Sequence, residues 1–89
     1  MGHTPFGYRI ENGKAVIDEA AAAHVRDLYK NYLSGISLAN AAKEAGLDLL
    51  HAGAKRMMLN RHYLGDDFYP AIIDPASFDA VSAELTKRS

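Results

Sequence analysis

The 89-residue sequence contains no cysteine, only three prolines and seven glycines. Without cysteine, the chain has no disulfides, no thiolate zinc site and no cysteine nucleophile. The low glycine and proline content excludes a collagen-like or low-complexity chain. No apolar run approaches the roughly 20 residues of a transmembrane helix, and residues 1–5 lack the basic and apolar parts of a secretory signal. We therefore expect a cytoplasmic protein that has no membrane partner.

Length and composition predict one small globular domain, residues 1–89. Hydrophobic residues make up 48% of the chain and charged residues 24%, which is typical of a folded protein. The four histidines, His3, His24, His51 and His62, lack the spacing of metal ligands. The serines have no adjacent general base, and the glycines form no phosphate-binding loop. We therefore expect no metal, no cofactor, no small-molecule substrate and no catalytic residue.

The positive charge is concentrated in one segment, although the net charge is only −1. Residues 49–65 contain Lys55, Arg56 and Arg61 and no acidic residue, whereas acidic residues outnumber basic ones on either side. A near-neutral total argues against nucleic-acid binding. A cationic segment, however, is a candidate surface for phosphate groups.

Local patterns predict a mainly α fold, with a short N-terminal β-hairpin followed by four helices. Asn12-Gly13 between two short β-type runs is typical of a two-residue hairpin turn. Residues suited to N-caps precede the four helices, at Asp18, Ser37, Asp48 and Asp74. The predicted elements are a hairpin at about 8–17 and helices at about 19–33, 38–45, 49–59 and 75–87.

Two packing faces follow from these elements. In the hairpin, we expect the apolar side chains to pack on the helices, namely Phe6, Tyr8, Ile10 and either Val16 or Ile17. In the third helix, the apolar face is predicted to contain Leu50, Ala54, Met57 and Met58. The adjacent cations Lys55 and Arg56 then point away from the core.

The second and third predicted helices have the layout of a helix-turn-helix core. A short alanine-rich helix is followed by Gly46 and then by a helix that carries exposed cations. In the tightest form of this motif, the positions near Ala52 and Lys55 would be apolar and buried. Here Ala54 and Met57 are the apolar pair, and a turn about two residues longer restores the match.

Several motifs, in order along nearly the whole chain, are similar to those of one family. They are PFGYR at 5–9, VID at 16–18, VRDLY at 25–29, YLSG at 32–35, KRMMLNRHYLG at 55–65 and PAIID at 70–74, followed by Phe78 and Val81. Together they resemble the recombinase domain of large serine site-specific recombinases of the resolvase/invertase type. In that family, the domain follows a catalytic domain that carries the serine nucleophile, and it docks on a DNA half-site.

The resemblance implies a DNA-binding module of a bacterial or phage-derived recombination system. Its expected partners are double-stranded DNA and a full-length serine recombinase. The chain starts at the PFGYR motif and has no cysteine, so the catalytic domain and the zinc module that often follows in the family would be absent. We therefore expect no strand cleavage by this chain.

The candidate DNA-binding residues are Arg9, His51, Lys55, Arg56, Asn60, Arg61 and His62. We expect Lys55 and Arg56 to contact phosphates or bases, and His51 to lie at the exposed start of the third helix. Arg9 matches a position of the family, and it either touches DNA or pairs with Glu11 or Asp18. The family often has Ser or Thr before the basic pair, but Ala52 and Gly53 stand there and their side chains cannot donate a hydrogen bond to a base.

A second hypothesis assigns the same fold to protein interaction, with little DNA affinity. The arrangement of charges distinguishes the two. DNA binding is favoured if Lys43, Lys55, Arg56 and Arg61 line one exposed face without acidic residues. Protein docking is favoured if Asp48, Asp66 and Asp67 neutralise that face.

Overall fold

The computed structural model describes residues 4–88, and the outermost residues of the predicted domain, together with His3, lie outside this range. It contains two strands, four α-helices and a short 3₁₀-helix. The elements are β1 (Tyr8–Glu11), β2 (Lys14–Ile17), α1 (Glu19–Leu33), α2 (Leu38–Glu44), α3 (His51–Met58), the 3₁₀-helix (Arg61–Leu64) and α4 (Pro75–Arg88). The prediction of a mainly helical fold with an N-terminal hairpin is confirmed.

The hairpin turn forms at Asn12-Gly13, as predicted. Asn12 has φ 53° and Gly13 has φ 76°, the pair of positive values that a type I′ turn requires. The strands are antiparallel, with Tyr8 opposite Ile17 and Ile10 opposite Ala15. Tyr8 is buried and Ile17 packs on the core, so the end of the hairpin away from the turn contacts the helices.

The prediction that Phe6 and Ile10 are buried is wrong. Ile10 lies next to the turn, outside the core, and is 47% exposed. Phe6 precedes β1 and is 42% exposed. The turn end of the hairpin does not reach the helices, which leaves Ile10 in contact with water, whereas Phe6 is tied to the core through its backbone oxygen, a hydrogen-bond acceptor for Tyr63.

Three of the four helices begin at the predicted capping residue. Asp18 Oδ1 accepts from Ala21 N at 3.3 Å, and Ser37 Oγ accepts from Asn40 N at 3.3 Å. Asp74 Oδ2 accepts from Ser77 N at 2.9 Å. These bonds satisfy N–H groups that have no partner inside the helix.

Helix α3 begins at His51, later than the predicted Leu49, and Asp48 is not its cap. Leu50 occupies the N-cap position with an extended backbone (φ −81°, ψ 172°) and makes no side-chain cap bond. Before it, Leu47 N donates to Ala42 O at 2.9 Å, and the Leu47 side chain joins the core. The connection from α2 therefore spans residues 45–50, longer than the three or four residues of a tight helix-turn-helix.

The core is built around α1, which packs against α2 and α4, while α3 packs against α2 and α4. Small side chains at the contacts allow close approach of α2 and α3. The central buried residues are Ala22, Val25, Leu28, Tyr29 and Tyr32 of α1, Ala41 and Ala42 of α2, Ala54 and Met58 of α3, and Phe78, Val81 and Leu85 of α4. No helix within residues 4–88 combines the length and apolarity needed to cross a membrane.

Two tyrosine hydroxyls connect the N-terminal segment to the chain beyond α3. Tyr8 Oη lies 2.8 Å from His62 O and 2.6 Å from Pro70 O, and its single proton is shared between these two carbonyls, while Tyr63 Oη donates to Phe6 O at 2.7 Å. Burial is the main reason why the pKa of each tyrosine is raised to about 12. Both hydroxyls therefore stay protonated at neutral pH and can act as donors.

Candidate nucleic-acid interface

Helix α3 packs against α2 and α4 and is joined to α1 by one buried hydrogen bond. Ala54 and Met58 are fully buried, and Tyr29 Oη of α1 donates to Met58 O at 2.5 Å. Burial raises the pKa of Tyr29, so its hydroxyl is a stable donor. This bond fixes the C-terminal end of α3 on the core.

The opposite side of α3 is exposed and carries the predicted cations. His51, Lys55 and Arg56 are all exposed. Among residues 4–88, no acidic side chain forms an ion pair with Lys55 or Arg56. Neighbouring residues of a helix project about 100° apart, and here Lys55 and Arg56 line different grooves.

The first groove, called here the aromatic groove, lies between the C-terminal half of α3, the 3₁₀-helix and the segment before β1. It is lined by Phe6, Gly53, Arg56, Met57, Leu59, Asn60, Arg61 and Tyr63. Two arginines and no acidic residue are in this set. Arg61 also lies over the ring of Phe78, with Cζ 5.7 Å from the ring centre, which is within the range of a cation–π contact. The aromatic groove thus combines apolar side chains with two cations.

The second groove lies between α3, the start of α2 and the ends of α1 and α4. Lys55 and His51 line it together with Arg88, Ser37, Tyr32 and neighbouring residues. Arg88 is engaged within the protein, since Nε lies 2.6 Å from Glu84 Oε2 and the guanidinium lies over the Tyr32 ring. Lys55 is therefore the cation of this groove without an ion-pair partner among the described residues.

Asn60 and His62 are committed to local contacts. Asn60 Oδ1 caps the 3₁₀-helix by accepting from His62 N at 3.0 Å. His62 Nδ1 lies 2.8 Å from Asp66 Oδ2. Hydrogen bonds from the backbone of Tyr69, from His62 and from the backbone of Phe68 lower the pKa of Asp66. The Asp66 carboxylate thus faces His62. Because this negative charge would repel a phosphate, His62 is a poor candidate for a phosphate contact.

Arg9 lies on the hairpin and lines neither of the two grooves. Arg9 Nε contacts Glu11 Oε2 at 2.6 Å, and this hydrogen bond is the main cause of the raised pKa of Arg9. Of the two predicted alternatives for this residue, the ion pair with Glu11 is therefore present.

The charge criterion divides the candidate residues. Lys55, Arg56 and Arg61 have no acidic ion-pair partner among residues 4–88, whereas Asp66 faces His62. Lys43, at the last turn of α2, lines neither groove. Arg56 and Arg61 line the aromatic groove, Lys55 lines the second groove, and Arg61 also lines a third cavity together with Asp66. The criterion for DNA binding is therefore met only in part, and we call Lys55, Arg56 and Arg61 together the cationic face.

Sequence reasoning missed several residues of this region. Leu50 was expected in the core but is 85% exposed, because the chain is still extended there and helix α3 has not begun. Phe6 and Leu59 form an apolar rim, and Arg88 approaches α3 from the far end of the chain. A helical projection of residues 49–59 would place Leu59 near Lys55 and Arg56, but it gives no sign of Phe6 or Arg88.

Within residues 4–88, no three His, Asp or Glu side chains come together in an arrangement that could hold a metal ion. The similarity to serine recombinases remains a prediction from motifs. We compared the chain with protein-family models, with curated proteins and with solved structures, and none of the three comparisons found a match.

Proposed function

We propose that this protein binds double-stranded DNA through the exposed side of α3, as the DNA-binding module of a serine site-specific recombinase. The observation that carries the proposal is the cationic face, in which Lys55, Arg56 and Arg61 are exposed and face no acidic ion-pair partner within residues 4–88. The motif resemblance supports the same function. It also implies the cytoplasm of a bacterial or phage-derived system as the location.

The dimensions of α3 suit the major groove of DNA. An α-helix with its side chains is about 10–12 Å in diameter, and the major groove, about 12 Å wide, admits it; the eight residues of α3 make about two turns. Lys55 and Arg56 line grooves on different sides of α3. With α3 in the major groove, we expect the two side chains to reach toward the phosphates of opposite strands, with Arg61 extending the contact on the Arg56 side.

The proposed binding is mainly to the DNA backbone. Ala52 and Gly53, at the exposed start of α3, have no side-chain donor for a base edge. His51, Lys55 and Arg56 are the side chains of α3 that can donate to bases. Because phosphate contacts position a protein without reading the sequence, we expect modest sequence preference and micromolar or weaker affinity at physiological salt.

The proposal assigns no catalytic step to these residues. The resemblance places the serine nucleophile in a separate domain, and the module would hold the half-site while that domain acts. A full-length recombinase is then the expected protein partner.

The decisive experiment is a salt-series titration of duplex DNA with the parent protein and the Lys55→Ala/Arg56→Ala variant. If three cations contact phosphates, a plot of the logarithm of the binding constant against the logarithm of the salt concentration should have a slope of about −2.7. The double variant should bind every duplex more weakly, and its slope should shrink by about one to two. Circular dichroism should be unchanged, because both residues are exposed and Ala favours helix.

A matched control is Lys14→Ala/Lys30→Ala, which removes the same charge from exposed positions on β2 and α1. The control should keep both the slope and most of the affinity. Equal losses in the two double variants would mean that net charge, and not α3, drives binding. Parent-like binding by the Lys55/Arg56 variant would remove α3 as the DNA-binding element.

A further inference from the structure

An ordered acidic loop with an exposed aromatic ring follows the 3₁₀-helix. We call residues 66–68 (Asp-Asp-Phe) the acidic tip. Asp66 Oδ1 accepts from Phe68 N at 2.9 Å and from Tyr69 N at 2.7 Å, which holds the loop in one conformation. Phe68 packs edge-on against Tyr69 with ring centres 4.9 Å apart, yet it remains 47% exposed.

The charge of the acidic tip is only partly used within the molecule. Asp66 pairs with His62, but Asp67 is exposed and forms no ion pair among residues 4–88. The tip therefore offers one free carboxylate next to an exposed phenyl ring. A surface that matches it must supply a cation beside an apolar pocket.

The aromatic groove has that chemistry. Phe6 and Leu59 are 42% and 41% exposed, and Arg56 and Arg61 line the same groove, which no acidic residue lines. A phenyl ring can bury apolar surface against Phe6 and Leu59. A carboxylate beside that ring can pair with either guanidinium, since arginine suits carboxylate geometry.

We propose that the acidic tip of one copy of this chain docks in the aromatic groove of a second copy. Phe68 fills the apolar part of the groove, and Asp67 pairs with Arg56, with Arg61 lining the same groove. The tip is held to the 3₁₀-helix by the Asp66 contact with His62, and Arg61 of the same helix lines the groove. The two surfaces thus flank one element, which favours a reciprocal two-fold contact in which each copy supplies one tip and one groove.

Self-association of this kind would cover two of the three cations of the DNA-binding face. DNA and the second copy would therefore compete for Arg56 and Arg61. The contact is small, one loop in one groove on each side, and contacts of this size are typical of weak and transient complexes. Dimers should accumulate at high local concentration and dissociate on DNA. The dimer does not depend on DNA binding, and it is tested without DNA.

The test is sedimentation equilibrium of the full chain from micromolar to millimolar concentration at low salt. The weight-average mass should rise from the monomer value of 9.7 kDa toward twice that value. It should rise less at high salt, because ion pairs are screened. A parent protein that stays monomeric over the whole range would overturn the proposal.

Charge exchange identifies the contact. Arg56→Glu and Asp67→Arg should each abolish self-association. Arg56→Glu places two carboxylates at the contact, and Asp67→Arg places two guanidinium groups there. An equimolar mixture of these two variants should associate again. In the mixed dimer, the glutamate introduced in one copy faces the arginine introduced in the other, while the second contact keeps its native pair. Absence of association in the mixture, with both variants folded by circular dichroism, contradicts the proposed pairing.

Matched controls are Lys30→Glu and Asp79→Arg, which reverse exposed charges on α1 and α4. These variants should dimerise like the parent. Phe68→Ser tests the apolar part of the contact separately and should also abolish dimers while leaving DNA affinity intact or raised. Parent-like association of Phe68→Ser or of Arg56→Glu would show that another surface is responsible.

Discussion

Replacement of Gly53 by alanine should stabilise the protein. Gly53 lies inside α3, half-buried, on the helix proposed to contact DNA. A glycine inside a helix costs roughly 1 kcal/mol relative to alanine, because its unfolded backbone has more conformations to lose. We expect Gly53→Ala to raise the free energy of unfolding by about 0.5–1 kcal/mol.

The surroundings of Gly53 leave room for the added methyl group. A Cβ atom at this position would lie 3.4 Å from Leu49 Cδ2 and 3.9 Å from Leu49 Cβ. Both are van der Waals contacts, and the closer one involves the end of a flexible side chain. Little of the gain in helix stability is therefore lost to strain.

Gly65→Ala is the control, because the same chemical change should have the opposite effect there. Gly65 has φ 89° and ψ 140°, a combination that essentially only glycine adopts. Its Cβ would also lie 3.0 Å from Ala71 Cβ and 3.1 Å from Ala71 N. We expect a loss of about 1–3 kcal/mol from backbone strain alone.

Thermal unfolding followed by circular dichroism checks both variants. Stability changes of this size should shift the melting temperature by about 4–8 °C per kcal/mol for a domain of this length. The midpoint should rise for Gly53→Ala and fall for Gly65→Ala. A lower midpoint for Gly53→Ala would mean that α3 does not have a regular helical backbone at residue 53.

Two further predictions concern other contacts. Tyr29→Phe should cost about 1–3 kcal/mol in unfolding free energy, because Met58 O loses its donor in a buried environment, and urea unfolding measures this loss. Stability should also fall in acid. Hydrogen bonds, chiefly from Tyr69 N to Asp66 and from Ser77 to Asp74, lower the folded-state pKa of both carboxyls below their ordinary value of 3.8. Their contribution is complete above that value and is lost as the pH falls through the folded-state pKa values. The urea midpoint measured against pH should therefore decline below about pH 4–5, and it should decline less steeply in Asp74→Asn.

The helix starts were predictable where a local signal decides them. Asp18, Ser37 and Asp74 cap their helices through hydrogen bonds to backbone three residues ahead, so the sequence pattern and the structure coincide. The start of α3 was not predictable in this way. Leu50, and not the potential capping residue Asp48, occupies its N-cap position and makes no side-chain cap bond, so no local capping signal marks it.

The composition of the cationic face was predictable for a similar reason. Once Ala54 and Met58 are buried, helical geometry turns Lys55 and Arg56 outward. The separation of these two cations into different grooves depends on distant residues such as Phe6 and Arg88. The contact between His62 and Asp66 depends on a loop conformation, and the spacing of four residues alone did not distinguish it from a free histidine.

The tyrosine bonds between the two ends of the domain have a consequence for synthesis on the ribosome. The bonds of Tyr8 to His62 and Pro70 span 54 and 62 residues, and the bond of Tyr63 to Phe6 spans 57. Contacts so distant in sequence close large loops and form after local ones. Helices α1 and α2 can pair while the chain is still being made, but the tyrosine bonds of the N-terminal segment cannot all form until residues 62–70 have emerged. The aromatic groove, which needs Phe6 beside Tyr63, is therefore among the last features of the molecule to be assembled.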